Sequence, residues 1–190
     1  MVAGSILPFS IHKNKIYFLF GKENSMEDSA KGFSDFGGGV EKNETPYNTA
    51  LREGGEELTG FLGDGTNVEK LIKKGGGFYE IVHNDYHVHA FFMEYDENLP
   101  IYYNNNHSFL WERMDKALLN KTMLFEKIRI EWFSEKELKT RRPEFRGFYR
   151  EIVDKIREHI PELKHFANRK RKRTVRRRKH KNSTRKMRGG

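Results

Sequence analysis

Three glutamates, Glu53, Glu56 and Glu57, stand at i, i+3 and i+4 in a segment that reads as helical. At that spacing the carboxylates project from one side of the helix at one level, where three like charges repel. A hard divalent cation relieves the repulsion, and magnesium or manganese suits an all-oxygen set better than zinc does. Such cations keep positions open for water and phosphate oxygens, so chemistry at a phosphate follows. A Glu-rich helix face taken alone is ordinarily just solvated, and the surrounding residues must decide the matter.

The helix carrying these residues has its own start and stop signals. Thr45 is placed to cap it, and Pro46 occupies a first position that needs no amide. Gly60 is the natural stop. Inside it, Gly54-Gly55 costs roughly 1 kcal/mol per glycine relative to alanine, so close packing or another demand must hold them there. Ahead of it, Phe33 to Val40 reads as a short strand running into Gly37-Gly38-Gly39, where backbone must bend sharply or approach a ligand.

Gly38, five residues, Glu44, seven residues, Arg52-Glu53, two residues, and Glu56-Glu57 together resemble the Nudix box at every charged position. The resemblance extends weakly over residues 4 to 160 and implies an α/β fold, an alpha/beta/alpha sandwich around a mixed sheet. It also implies a Mg2+ (or Mn2+) dependent hydrolase of diphosphate linkages in nucleotide-type substrates. Metal ligands would be Glu53, Glu56 and Glu57 with the Gly38 carbonyl, and Glu44 and Arg52 would form the ion pair tying loop to helix. The general base would come from Glu56, Glu112 or Glu131. Two positions depart from the pattern. Gly54 stands where an aliphatic residue is expected, so a bulky neighbour such as a tail-side aromatic should fill the space. Thr59 stands where a glycine is expected, with Gly60 one later, which reads as a helix end extended by one residue. The polybasic end and the Asn- and Lys-rich loops are similar in composition to Nudix proteins of large DNA viruses.

Elsewhere, Gly4 to Ile11 and Lys15 to Phe20 form a hairpin around His12-Lys13-Asn14-Lys15. Asn67 to Lys74 suggests a short helix, and Phe78 to Val82 and Tyr86 to Tyr95 suggest strands. The second of these carries Tyr86, Val88, Ala90 and Phe92 on one face and His87, His89, Phe91 and Met93 on the other, the pattern of a central strand covered on both sides. Phe109 to Leu119 is weakly helical, Lys127 to Phe133 is a last strand, and the stripe from Phe145 to Ile156 is a helix docked on the sheet. His87 and His89 are most simply packing residues, with substrate contact as the alternative. Phe9, Tyr17 and Phe36 are core by default, with base stacking as the alternative. The loops around Asp64 to Gly77 and Tyr102 to Ser108 are where specificity would be set.

Charge divides the chain. Of its 36 basic residues, 13 lie between Arg169 and Gly190 with no acid among them, which leaves 23 basic against 27 acidic residues before position 169. A domain over 1–168 with a net charge of about −4 and a disordered basic tail over 169–190 is the expectation. Arg169, Lys170, Arg171, Lys172, Arg173, Arg176, Arg177, Arg178 and Lys179 would bind RNA phosphates by counterion release, direct nuclear import, or tether the chain to anionic membranes. A mean hydropathy of −0.85 reflects this tail rather than a missing core, because aromatic residues make up 13% of the chain. No apolar run is long enough to span a membrane, no secretory signal is evident, and there is no cysteine, so an intracellular protein of cytoplasm or nucleus is expected. A capped RNA end recruited by the tail is the leading substrate reading. Small dinucleoside polyphosphates or nucleotide sugars are the alternative, and a non-catalytic binding module is the third.

Overall fold

The computed structural model describes residues 1–24, 31–115, 117–119 and 126–169. Strand β1 (Ala3–His12) turns back into β2 (Lys15–Glu23) through Lys13 and Asn14, both at positive φ, which matches the right-handed twist of a two-residue hairpin. Only the far half of β1 pairs with β2, from Phe9 to His12. Its first half, Ala3 to Ile6, pairs on the same edge with the glycine strand β4 (Phe36–Gly39). One strand thus serves two neighbours, and the sheet splays open between them.

The other edge of β1 takes β6 (Tyr86–Phe92) in parallel, followed by β5 (Phe78–His83), while β2 carries the short β3 (Phe33–Ser34) and β7 (Lys127–Ser134). The sheet is therefore mixed, with seven strands among the described residues. On one face lie α1 (Pro46–Glu57), α2 (Gly65–Gly75) and α3 (Asn98–Arg113). Under them Ile6, Leu19, Phe36, Phe91 and Trp132 form one core with Ala50, Val68, Ile72 and Tyr103. Beyond the short α4 (Glu135–Thr140), α5 (Tyr149–Glu158) and a helical run over 160–169 cover the other face against Leu7, Phe9, Phe18, Phe20, Val88 and Ala90. Alternate residues of β6 enter the two cores, as the sequence pattern requires of a central strand. The result is the three-layer α/β arrangement expected above.

Of the boundaries that differ from the sequence reading, three bear on the packing around the site. Strand β6 stops at Phe92, after which Tyr95 stacks on His12 with ring centroids 4.4 Å apart. Helix α3 starts at Asn98 rather than near Phe109. Only Tyr103 and His107 are buried on it, so it shows no apolar stripe to read. It is held by Asn104, whose side chain donates to the Ile130 carbonyl (3.2 Å) and accepts from the Ile130 amide (2.8 Å), standing in for a neighbouring strand. Helix α1 is not lengthened at its end either. It closes at Leu58, and Thr59 itself takes the left-handed position at φ 52°, where the family pattern has glycine. No helix among the described residues is long and apolar enough to cross a membrane.

Candidate active site

Helix α1 begins as its sequence dictates: the Thr45 hydroxyl accepts from the Asn48 amide at 3.2 Å, with Pro46 in the first turn. Its interior glycines are explained by contact. A Cβ on Gly54 would lie 2.3 Å from Ile6 Cδ1, so Ile6 of β1 occupies the space that a tail-side aromatic was expected to fill. A Cβ on Gly55 would press on the backbone of Asp64 and Gly65 at the start of α2. The helix therefore lies unusually close to both the sheet and its neighbour, and that proximity brings its carboxylates to the glycine strand.

Arg52 organises the outer part of the site. Its Nε and Nη2 donate to the two oxygens of Glu44 at 3.0 and 3.1 Å, a bidentate pair. Glu44 also accepts from the Thr49 hydroxyl at 2.7 Å, and the Arg52 guanidinium holds its carboxyl down at about 2. The remaining nitrogen, Nη1, reaches Glu53 Oε1 at 2.8 Å and Glu56 Oε2 at 3.2 Å. Glu56 is exposed, whereas Glu53 is half-buried and faces Gly38 so closely that a Cβ there would sit 2.5 Å from its Oε1. Burial raises the Glu53 carboxyl above its ordinary value, with Arg52 working against it.

Glu57 points inward. Its Oε2 accepts the Gly37 amide at 2.8 Å, and its Oε1 lies 3.1 Å from the Nζ of Lys127, the first residue of β7. Lys127 is fully buried and also donates to Glu23 and, at 2.9 Å, to the Ser34 hydroxyl. Burial works against its ammonium, but Glu57 and Glu23 outweigh that and hold its pKa above the ordinary lysine value. Arg146 closes the network by donating to Glu23 at 2.7 Å. Sequence reading missed Lys127, Glu23, Ser34 and Arg146. No signal marked Lys127, since Arg129 and Glu131 alternate with it along the same strand.

A second buried polar cluster lies beside β4. The Asp35 carboxyl accepts from the Ser5 hydroxyl at 2.5 Å and the Tyr86 hydroxyl at 2.6 Å, and burial pushes it up to about 6.

The other sequence candidates are not drawn in. Glu112 is exposed and its ion-pair partner is Arg113. It lies nine residues along α3 from Tyr103, which touches the Glu57 carbonyl, so it is about 13 Å away along the helix axis. Glu131 is held by Arg141 and Arg129, and because Ile130 and Trp132 enter the core beneath α1 it points to the opposite face. His89 is buried with its Nδ1 on the Ser5 carbonyl at 3.0 Å, and packs against Tyr47 and Phe78. His87 contacts Glu80 at 2.9 Å. Phe9 and Phe36 are core residues, and Tyr17 packs at a tilt against Tyr95. Of the basic tail, Arg169 lies over the Phe166 ring, and Lys170, Arg171, Lys172, Arg173, Arg176, Arg177, Arg178 and Lys179 lie outside the described residues.

In side-chain terms, no group of three His, Cys, Asp or Glu residues stands ready around a cation among the described residues. Arg52 divides Glu53 from Glu56, and Lys127 draws Glu57 away. What the geometry supplies is oxygen donors held separately: Glu53 against Gly38 and Glu56 on the exposed side, both on Arg52, and Glu57 on Lys127 and the Gly37 amide.

No family model matches the chain, and no characterised protein matches it in sequence. Among solved structures it is similar to a C. elegans Ap4A hydrolase, with 13% identity over 86% of this chain and 99% of the other, and a TM-score of 0.45. A binary complex of C. elegans Ap4A hydrolase gives 12% identity over 86% and 97% of the two chains, with a TM-score of 0.48. The NUDIX domain of Shewanella oneidensis NrtR complexed with ADP ribose gives 10% identity, 84% and 88% coverage and a TM-score of 0.47.

Proposed function

We propose that this chain is a Nudix-type hydrolase that cleaves a diphosphate linkage in a nucleotide-type substrate with Mg2+ or Mn2+. One observation carries the reading: of the box-spaced carboxylates of α1, Glu53 and Glu57 face the glycine strand, while Arg52, clamped to Glu44, also reaches Glu53 and Glu56 and fixes the helix face that bears them. The donor set is entirely oxygen, which suits a hard cation, and the missing side chain at Gly38 is what admits the Glu53 carboxylate against the glycine strand. Glu53, Glu56 and Glu57, with the Gly38 carbonyl, would hold it. When bound, the cation neutralises the diphosphate and stabilises the departing phosphate oxygens.

The chain's own residues supply the rest. Arg52 keeps Nε and Nη2 on Glu44 as Nη1 gives up Glu53 and Glu56, so the helix stays oriented when the site fills. Each oxygen of Glu57 retains a lone pair beyond those used by Gly37 and Lys127. Glu56, exposed on α1, takes the proton from the attacking water, since Glu112 is distant and Glu131 is occupied by arginines. A capped RNA end is the substrate we favour, because the 13 positive charges from Arg169 onward supply a phosphate-binding term that the acidic remainder of the chain lacks.

The test is a hydrolysis screen of capped RNA, dinucleoside polyphosphates and nucleotide sugars with Mg2+ or Mn2+, beside Glu56→Gln. Cation-dependent cleavage that is lost in Glu56→Gln supports the proposal, and preference for capped RNA supports its finer part. Absence of cleavage with either cation, or equal activity in Glu56→Gln, overturns it.

A further inference from the structure

Lysine is rarely buried completely, because taking its ammonium out of water costs several kcal/mol unless every proton finds a partner. Lys127 is fully buried, and its three protons face Glu23, Ser34 and Glu57. These partners come from three separate segments, the end of β2, β3 and the last turn of α1, and Glu23 lies 104 residues away in sequence. Arg146 adds a second cation on Glu23, so each of the two carboxylates facing Lys127 has a cation beside it. Apolar residues of similar volume often serve stability as well, so the question is what this buried charge holds in place.

Its target is Glu57. With Oε1 on Lys127, Glu57 presents Oε2 to the amide of Gly37, the neighbour of Gly38, whose bare face lies against Glu53. We infer that Lys127 is a positioning residue: it orients Glu57, which staples the glycine strand to the carboxylate end of α1. The helix then has two ties to that strand region, Arg52 with Glu44 on the outside and Lys127 with Glu57 on the inside. The importance of this tie for cation binding rests on the proposed function, whereas the tie itself does not.

The test measures amide exchange at Gly37 and Mn2+ affinity in three proteins. Lys127→Met combined with Glu23→Gln removes one charge of each sign, so no new net charge is buried. It is expected to fold, to exchange the Gly37 amide at least about tenfold faster, and to bind Mn2+ about 10- to 100-fold more weakly, the loss typical of removing a group that orients a metal ligand. Lys127→Arg, which restores a donor, should recover part of both. Ser34→Ala keeps every charge and should shift Gly37 exchange in the same direction by a smaller factor. A folded double variant with wild-type exchange at Gly37 and Mn2+ affinity within about twofold of wild type overturns the inference. If the double variant does not fold, unchanged Gly37 exchange in Ser34→Ala overturns it instead. If the wild-type protein binds no Mn2+, the proposed function fails, and the exchange measurements still decide whether Lys127 positions Glu57.

Discussion

Replacing Asp35 with asparagine should make the protein more stable at neutral pH, and the gain should depend on pH in a defined way. Asp35 is buried and accepts hydrogen bonds from Ser5 and Tyr86, yet no cation among the described residues pairs with it, and burial lifts its carboxyl from 3.8 to about 6. The folded state therefore holds a proton that the unfolded chain releases near 3.8. Its contribution to stability is fully present below that pH and is lost as pH rises through about 6. The gap between 3.8 and about 6, at about 1.36 kcal/mol per pH unit, comes to roughly 3 kcal/mol, of which roughly 2 kcal/mol falls between pH 4 and pH 7. The amide introduced by Asp35→Asn would not titrate. Its oxygen can accept from Tyr86 and its nitrogen can donate to Ser5, whose hydroxyl can turn toward the His87 carbonyl at 3.5 Å. Urea titrations of both proteins across pH 4 to 7 give the stability difference at each pH. The variant should gain on wild type by roughly 2 kcal/mol over that range. A difference that stays constant within about 0.5 kcal/mol, or that moves the other way, refutes the argument that burial dominates at Asp35.

Three further outcomes follow from the geometry of α1. Exchanging the partners in Arg52→Glu with Glu44→Arg should recover part of the turnover lost in either single variant, since each is first of all the other's partner; a double variant no better than the worse single one would assign one of them to substrate. Gly38→Ala should fold normally, because the atom it meets is the mobile end of Glu53, but should lose turnover and Mn2+ affinity together as that carboxylate is displaced; wild-type turnover would show that the space over Glu53 is not used. Thr59→Gly should raise the urea-derived stability by about 1 kcal/mol, because a β-branched residue at φ 52° carries a strain that glycine lacks; a loss of stability would mean that the threonine side chain contributes more than its backbone costs.

The parts of this structure legible in the sequence are those fixed by local chemistry. Thr45 and Pro46 mark the start of α1 wherever the helix packs, and the hairpin turn needs only Lys13 and Asn14. The two faces of β6 and the stripe of α5 each announce their burial by period. Illegible parts depend on contacts between distant segments. Helix α3 buries only Tyr103 and His107 and gains its anchor from Asn104 on β7, which no periodicity encodes. The space left by Gly54 goes to Ile6, 48 positions earlier, because β1 rather than the chain's end runs under α1. Glu57 looked equivalent to Glu53 and Glu56 by spacing. Its distinct surroundings come from Lys127 and Glu23, which meet only when β2 and β7 pair.

The same contacts explain how three carboxylates stand close together on one helix. They are countered from two directions: Glu53 and Glu56 share Arg52 Nη1, and Glu57 has Lys127. The two cations differ in how they respond to a divalent ion. Arg52 is only partly covered and holds Glu53 and Glu56 with one nitrogen, so that contact can yield while its bidentate hold on Glu44 stays. Lys127 is enclosed, with three acceptors fixed around it, and has nowhere to go. Were Glu53, Glu56 and Glu57 to hold a divalent ion as proposed, the Arg52 Nη1 contact is the one able to yield, and Lys127 sets the orientation of Glu57. Arg52 and Lys127 in this way offset the repulsion that the spacing of the carboxylates implies, and each also ties the helix to the glycine-strand region, Arg52 through Glu44 and Lys127 through Glu57.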